Sequence, residues 1–279
     1  MSRFGIRTRS GLIFNIIQTQ SATSIDADAQ AFFDRVTAAG GTLTATEKDA
    51  VNTLTVSLKS NGTWNLMKAI YPMVGASASA CAQNLKSSSY TGTFSSGWTF
   101  SSNGVTPDAA SAFMNTALNP FGILDYNSFH ISYYSRTQNT TFNGGAIGQG
   151  DGGAGNTYLA PYYAGTASKF FLNGYFPTNA VQINNTTTTG LNIGNKQSST
   201  SRKLYNNGTL LATNTGANIG SAFPGYAFYL GANNNNGIAQ FFTGFQCAFS
   251  SIGDGLSDTN ASDFNTAVQT FQTSLSRQV

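Results

Sequence analysis

The apolar residues of this chain change their spacing twice along its length. Between Ile25 and Ala39 they recur every three or four positions, at Ile25, Ala29, Phe32, Phe33, Val36 and Ala39. That period lines them up on one stripe of a helix, which Ser24 or Asp26 would cap and Gly40 with Gly41 would end. A second helix is expected directly after it. Thr44 and Glu47 have the spacing of a capping box, Val51, Leu54 and Leu58 form the buried stripe, and Asn61 with Gly62 supplies the stop. Trp64, Met67, Ile70 and Tyr71 extend the helical period into a short third helix closed by Pro72.

Past about Asn84 the texture changes to short alternating runs separated by Gly, Asn and Ser clusters, the pattern of antiparallel strands and turns. Phe129, Ile131 and Tyr133 alternate with His130, Ser132 and Tyr134, so one face meets the core and the other a more polar side. Val181 and Ile183 repeat the pattern. Leu204 to Thr213 reads as a hairpin turning at Asn207 and Gly208, and Phe228 with Leu230 marks a further strand. Phe241, Phe245, Cys247 and Phe249 place four apolar residues on one face at period two. Helical spacing then returns at Ala261, Phe264, Val268, Phe271 and Leu275, behind a cap at Ser257 or Asp258.

These elements predict a mainly β chain. An N-terminal arm and helical segment occupies residues 1–84, and an antiparallel β-sandwich with a C-terminal amphipathic helix occupies 85–279, its strands falling within about 85–256. Self-similarity at a period of about 20–50 residues is absent, which excludes a solenoid or propeller.

Composition adds a core and an unusual surface. Hydrophobic residues make up 40% and aromatics 13% of the 279 positions, enough to fold, yet charged residues are only 9%, against roughly 25% in an average domain. The surface is therefore built from neutral polar groups, which repel one another little and suit a chain held in an assembly, so a homo-oligomer is expected. The 14 basic and 11 acidic residues form no basic run, and nucleic acid is not an expected partner. Arg3, Arg7 and Arg9 do cluster at the start, either as a solvated arm or as an anchor that docks on another subunit. Met1 to Gln20 lacks the long apolar region and cleavage site of a secretory signal, and no apolar run of about 20 residues predicts membrane insertion. Cys81 and Cys247 make no disulfide framework and are expected as buried free thiols.

Candidate chemistry is sparse. Glu47 is the only Glu, and from Asn84 to Ser250 the acids are Asp108, Asp125 and Asp151, too far apart to suggest a carboxylate pair. The single His130 cannot make a multi-histidine metal site, and HExxH, GxSxG and Cys-rich ligand spacings are all missing. The expectation is a protein without catalytic residues, metal or cofactor. Gly144 to Gly155 is glycine-rich but lacks the Lys and the strand-to-helix setting of a phosphate loop, so it reads as a hairpin or bulged loop, with Asp151 its one acid for a hard cation. Tyr162, Tyr163 and Tyr175, near Asn residues, are candidates to stack on the apolar faces of sugars, with Asp151 beside them in a ligand-binding set. The polar tracts Asn184 to Thr189 and Asn233 to Asn236 read as loops at the sandwich ends, or as a binding rim.

The C-terminal third carries a resemblance. Tyr205, Asn207, Gly208 and Leu210 in the hairpin, FYLGA from Phe228 to Ala232, and SIGDGLSD from Ser251 to Asp258 leading into the terminal helix resemble concanavalin A-like, LamG-type jelly-roll domains of bacteriophage virion proteins. The run LKSNGTWNLMKAIYPMVG is similar to helical leaders found beside such domains. The resemblance implies a virion structural component, such as a tail, collar, fibre or head-decoration protein, made in the host cytoplasm and surrounded by other virion proteins. It also implies a fold that often binds carbohydrate, with a host surface glycan as the partner. The hydrolase branch of that fold carries clustered acids in a pattern such as ExDxxE, which this chain lacks.

Overall fold

The structure is a computed structural model that describes residues 24–141, 144–153, 155–163, 169–173, 180–184, 187–217, 220 and 222–279. Helix α1 (Ala27–Ala38) starts where Asp26 accepts a hydrogen bond from the Asp28 amide, and α2 (Ala45–Ser60) carries the full Thr44–Glu47 capping box. A four-residue α3 (Ala78–Cys81) follows, and α4 (Asp258–Ser274) closes the chain behind a second capping box, built by Ser257 and Asn260.

Two sheets form the β-sandwich. The first runs in the order Thr209–Asn214, Ser201–Asn206, Gly190–Ser198, Phe129–Ser135, Cys247–Asp254, Gly104–Pro107 and Trp98–Ser101. The second runs Ala180–Ile183, Lys169–Asn173, Thr157–Ala160, Ile147–Gly150, Tyr229–Leu230, Met114–Asn115 and Thr93–Phe94, with Asn233–Asn235 and Ile238–Gln240 joined beside Ile147–Gly150. Pairing is antiparallel except where Asn233–Asn235 lies parallel to Ile147–Gly150. This is a mainly β, jelly-roll architecture with helices at both ends of the sequence. The hairpin at Asn207 and Gly208 forms because both residues hold positive φ, +48° and +77°, as a tight two-residue turn requires.

Each face of the first sheet has its own core. Phe129, Ile131 and Tyr133 point between the sheets, where they meet Ile147, Leu159 and Phe171. Tyr134, Ile193, Tyr205 and Phe249 point the other way, into a cluster with Phe32, Val51, Leu54, Phe264 and Phe271 of the helices. Burying each such aromatic or aliphatic side chain contributes about 1.5–3 kcal/mol, so the helical layer is a second core. Cys81 and Cys247 are buried free thiols, and burial pushes both up to about 12.

Three sequence expectations are corrected. The expected third helix is a 3₁₀ turn, Thr63–Leu66, followed by a five-residue strand, Met67–Tyr71, that pairs with Cys247–Asp254. Its apolar residues satisfy a helical and a strand pattern alike, and the long-range pairing decides between them. Phe241, Phe245, Cys247 and Phe249 do not share one strand face. Phe241 sits at φ +52° and is 54% exposed, and a bulge between Cys247 and Phe249 turns those two side chains to opposite faces. Asn233 to Asn235 is a strand rather than a loop: it pairs with Ile238–Gln240 and with Ile147–Gly150, where Gly148 opposite Asn233 leaves room for its amide.

Candidate functional site

The two sheets differ in what covers their outer faces. The helical cluster includes residues of the first sheet and none of the second, so among the described residues the second sheet's outer face carries no helix. Side-chain alternation identifies what stands on it. Ile147 and Leu159 point into the inter-sheet core, so Gly148 and Tyr158 point outward. Register places Tyr229 and Tyr158 on either side of Gly148, with Asn233 also level with Gly148 and Gln240 beyond it.

Aromatic rings therefore flank a glycine floor. On one side Phe113 stacks on Tyr229, ring centroids 4.6 Å apart and planes 18° from parallel. On the other, Tyr158 lies 6.5 Å from Tyr163, is hydrogen-bonded to it, and shares a small apolar patch with Ala160 and Ala180. Burial raises the Tyr158 phenol well above its ordinary value, and the neighbouring Tyr163 adds to this, so the Tyr158 phenol is neutral at physiological pH. A Cβ on Gly148 would stand 2.5 Å from Asn233 Oδ1 and 2.5 Å from Tyr158 Cβ. Only glycine lets these side chains close over that point.

Two amides of this face hold buried oxygens without a protein partner. Asn235 Nδ2 donates to Gln240 Oε1 at 2.9 Å, which leaves Asn235 Oδ1 buried without a protein partner. Asn233 is 2% exposed, and its Oδ1 is likewise unpartnered. At the end of the floor, exposed Asp151 begins a loop in which its Oδ1 accepts from the Gly153 amide at 2.8 Å. A Cβ on the adjoining Gly152 would lie 3.5 Å from Asn235 Oδ1, which brings this loop against the amides.

Of the residues singled out from sequence, the structure puts Tyr163 on this face and Asp151 at its end. Tyr162, next in sequence to Tyr163, packs instead against the inter-sheet core. Tyr175, Arg3, Arg7 and Arg9 lie outside the described residues. Sequence reading passed over Tyr158, Tyr229, Phe113, Gly148 and Asn233. The available signal was the alternation Ile147-Gly148-Gln149-Gly150, which sets two glycines on the same side of one strand.

Elsewhere the reactive groups are sealed or scattered. His130 is wholly buried on the helix side of the first sheet, 5.9 Å from the Phe264 ring. Its Nδ1 faces the Asp254 carbonyl at 2.7 Å and so carries the proton, Ser251 Oγ donates to Nε2 at 3.1 Å, and Ser132 Oγ donates to Ser251 Oγ at 2.7 Å. Burial pulls this imidazole down to about 4. Lys196 lies buried between the sheets, its ammonium 4.1 Å over the Tyr126 ring, and burial lowers it to about 7. Such a shift often marks chemistry, but this side chain is enclosed by the sandwich. Asp108 caps its own loop by accepting from the amides of Ala110, Ser111 and Ala112, which holds its carboxyl well below the usual range. Asp125 accepts from the Asn127 amide in another loop. Among the described residues no three His, Cys, Asp or Glu side chains gather as a metal site, and no helix is long and apolar enough to cross a membrane.

No protein-family model and no curated protein matches the sequence. Solved structures share the architecture. Domain 4 of AbnA, an extracellular GH43 arabinanase from Geobacillus stearothermophilus solved with arabinotriose, aligns at TM-score 0.52 and 14% identity over 71% of this chain and 98% of that one. A Trypanosoma rangeli sialidase mutant displaying trans-sialidase activity aligns at TM-score 0.46 and 11% identity, over 76% and 37% of the two chains. The CBM40 of the Ruminococcus gnavus IT-sialidase, bound to α2,3-sialyllactose, aligns at TM-score 0.33 and 17% identity, over 47% and 77%. At this identity the likeness to the GH43 domain is one of fold alone, a β-sandwich.

Proposed function

We propose that this chain is a non-catalytic saccharide-binding module that holds its ligand on the open face of the second sheet. One observation carries the reading: the face that carries no helix among the described residues sets Phe113–Tyr229 and Tyr158–Tyr163 on either side of a glycine floor. Sugars present apolar C–H faces that stack on aromatic rings, so the paired rings match the ligand class. The arabinotriose complex of the GH43 domain supports this at the level of fold. The non-catalytic half of the reading draws on the sealed His130 and on the placement of Asp108, Asp125 and Asp151 in separate loops.

The setting we favour is a phage particle, where the chain is a structural component and the open face meets host glycans. A 9% charge content, which suits permanent packing among copies, and the virion-domain resemblance of the C-terminal third support it. In that setting the helical layer and the arm bearing Arg3, Arg7 and Arg9 face the rest of the particle.

A glycan array probed with the intact chain tests the binding function. Binding that falls at least about tenfold in Tyr158→Ala and Tyr163→Ala, as expected for a ring at the centre of a contact, supports it. An array without signal sinks it. For the setting, a reconstruction of purified particles in which the chain has no ordered position removes the virion reading and leaves the binding reading standing.

A further inference from the structure

The rim of the open face carries a strained, exposed ring. Among the described residues two aromatic side chains stand on backbone of positive φ, Tyr90 at +59° and Phe241 at +52°. That conformation is costly for a bulky residue, because its Cβ crowds the following carbonyl oxygen. Tyr90 packs against the inter-sheet core, which offsets the strain. Phe241 is 54% exposed, so burial offsets little of it. The turn is built in all the same. A Cβ on Gly144 would stand 2.2 Å from Phe242 O and 2.6 Å from Phe241 O, so only glycine there lets the strained backbone close.

Pairing ties this residue to the floor. The Gly145 amide donates to Phe241 O at 2.9 Å, and a Cβ on Gly145 would lie 3.7 Å from Asn233 Cβ and 3.8 Å from Tyr158 Cβ. Phe241 directly follows Gln240, the register partner of Asn233. In the same hairpin Ile238 is opposite Asn235, so by alternation it shares the outward side with Asn233 and Gln240, and it is 62% exposed. Strain of this kind concentrates where a chain contacts its ligand. Tyr229 and Tyr158 stand two strands apart, about 9–10 Å, a span that takes more than one sugar ring to bridge. We infer that the open face takes an oligosaccharide chain, and that Phe241, with Ile238 beside it, is the contact that holds the sugars beyond those on Tyr158–Tyr163, an inference that rests on the saccharide-binding reading above.

The test is an array of linear neutral and acidic oligosaccharides, printed as size series of one to about eight sugars and probed with the intact parent chain, Phe241→Gly and Phe241→Tyr. Within a bound series the parent signal should rise with chain length. In Phe241→Gly the long members should lose at least about fivefold, while the short members keep their signal within about twofold. Phe241→Tyr retains a ring and should restore the length dependence. The thermal midpoint of Phe241→Gly should match or exceed the parent's, by up to about 4 °C, since glycine accepts positive φ. A midpoint lower by more than about 4 °C assigns the ring to the fold and overturns the inference. A length profile in Phe241→Gly that keeps the parent's shape overturns it as well, and loss of self-association in sedimentation with that profile kept assigns the ring to a contact between copies. In each of these cases the parent still binds, and the saccharide-binding reading stands. Absence of parent signal on every series overturns both.

Discussion

The two outer faces of this sandwich handle polar groups in opposite ways. On the first sheet the outer face lies under α1, α2 and α4, and its polar side chains form a connected chain there: His130 is wired through Ser251 to Ser132. Beside that layer, the Arg277 guanidinium donates to Pro72 O, Met73 O, Ala248 O and Gln272 Oε1 at 2.6–2.8 Å. On the second sheet Asn233 and Asn235 keep buried oxygens without partners. A folded chain holds such atoms at a cost of about 1–3 kcal/mol each. The closed face thus holds an extended polar network, and the amide oxygens of the open face stand outside any network.

The contrast is broken most directly at Arg277. Its four charge-assisted hydrogen bonds tie the end of the chain to the segment before α3 and to the bulge in Cys247–Asp254. Arg277→Ala leaves three carbonyls and the Gln272 amide without that donor, and we expect a loss of about 3–5 kcal/mol in urea unfolding. Saccharide affinity of the folded fraction should not change. A loss under about 1 kcal/mol would put the closed face on the same footing as the open one.

His130 gives the closed face a pH dependence. The folded imidazole, buried and wired to Ser251, protonates only near pH 4, whereas its ordinary value is 6.5. As pH falls through 6.5 the unfolded chain takes up a proton that the folded chain refuses, so stability declines across the window from 6.5 to 4 and is flat for this group outside it. At about 1.4 kcal/mol per pH unit, roughly 2 kcal/mol is lost by pH 5, before most carboxylates titrate, and about 3 by pH 4. Unfolding midpoints measured at pH 7, 6, 5.5 and 5 should fall, and His130→Gln should flatten that slope. A wild-type midpoint that holds level from pH 6.5 to 5 would show that the imidazole is not sealed.

The difference between the faces was only half legible in the sequence, for a physical reason. Helices α1, α2 and α4 announce themselves locally, through stripes such as Phe264, Val268 and Phe271 and through the Thr44–Glu47 box, and the hairpin does so through Asn207–Gly208. The β-sandwich followed from similar local signals, and its jelly-roll class from the resemblance of the C-terminal third. The open face is assembled from strands distant in sequence, and Tyr229, Gly148 and Tyr158 become neighbours only through pairing. The strand at Met67–Tyr71 was missed on the same ground, since its partner lies at Cys247–Asp254. The bulge that separates Cys247 from Phe249 breaks the alternation from which the face had been read. Tyr162 and Tyr163 look alike in sequence, yet one turns to the core and the other to the open face.

Gly148 tests whether the open face is a built floor. In Gly148→Ala the new methyl would stand 2.5 Å from Asn233 Oδ1 and Tyr158 Cβ, so either the amide or the strand carrying Tyr158 must shift. Overpacking of this kind costs about 1–3 kcal/mol, and about 2 is expected here. The same shift moves the Tyr158 ring, so saccharide affinity should fall along with stability. A variant of normal stability and undiminished affinity would mean that the floor is loosely packed and that the ligand sits elsewhere.

The smallest expected effect sharpens the comparison from the other side. Ser257 Oγ accepts from the Asn260 amide at 3.0 Å, and Asn260 Oδ1 accepts from the Ser257 amide at 3.3 Å, which closes the capping box of α4. Ser257→Ala removes half of it and should cost about 1 kcal/mol. Helix α4 packs on the first sheet, across the sandwich from Tyr158 and Asn233, so saccharide affinity should stay within error of the parent. This variant and Gly148→Ala then form a pair in which stability falls in both and affinity in one. If Ser257→Ala weakens binding as well, the helical layer and the open face are coupled through the sandwich, and the division of labour between them does not hold.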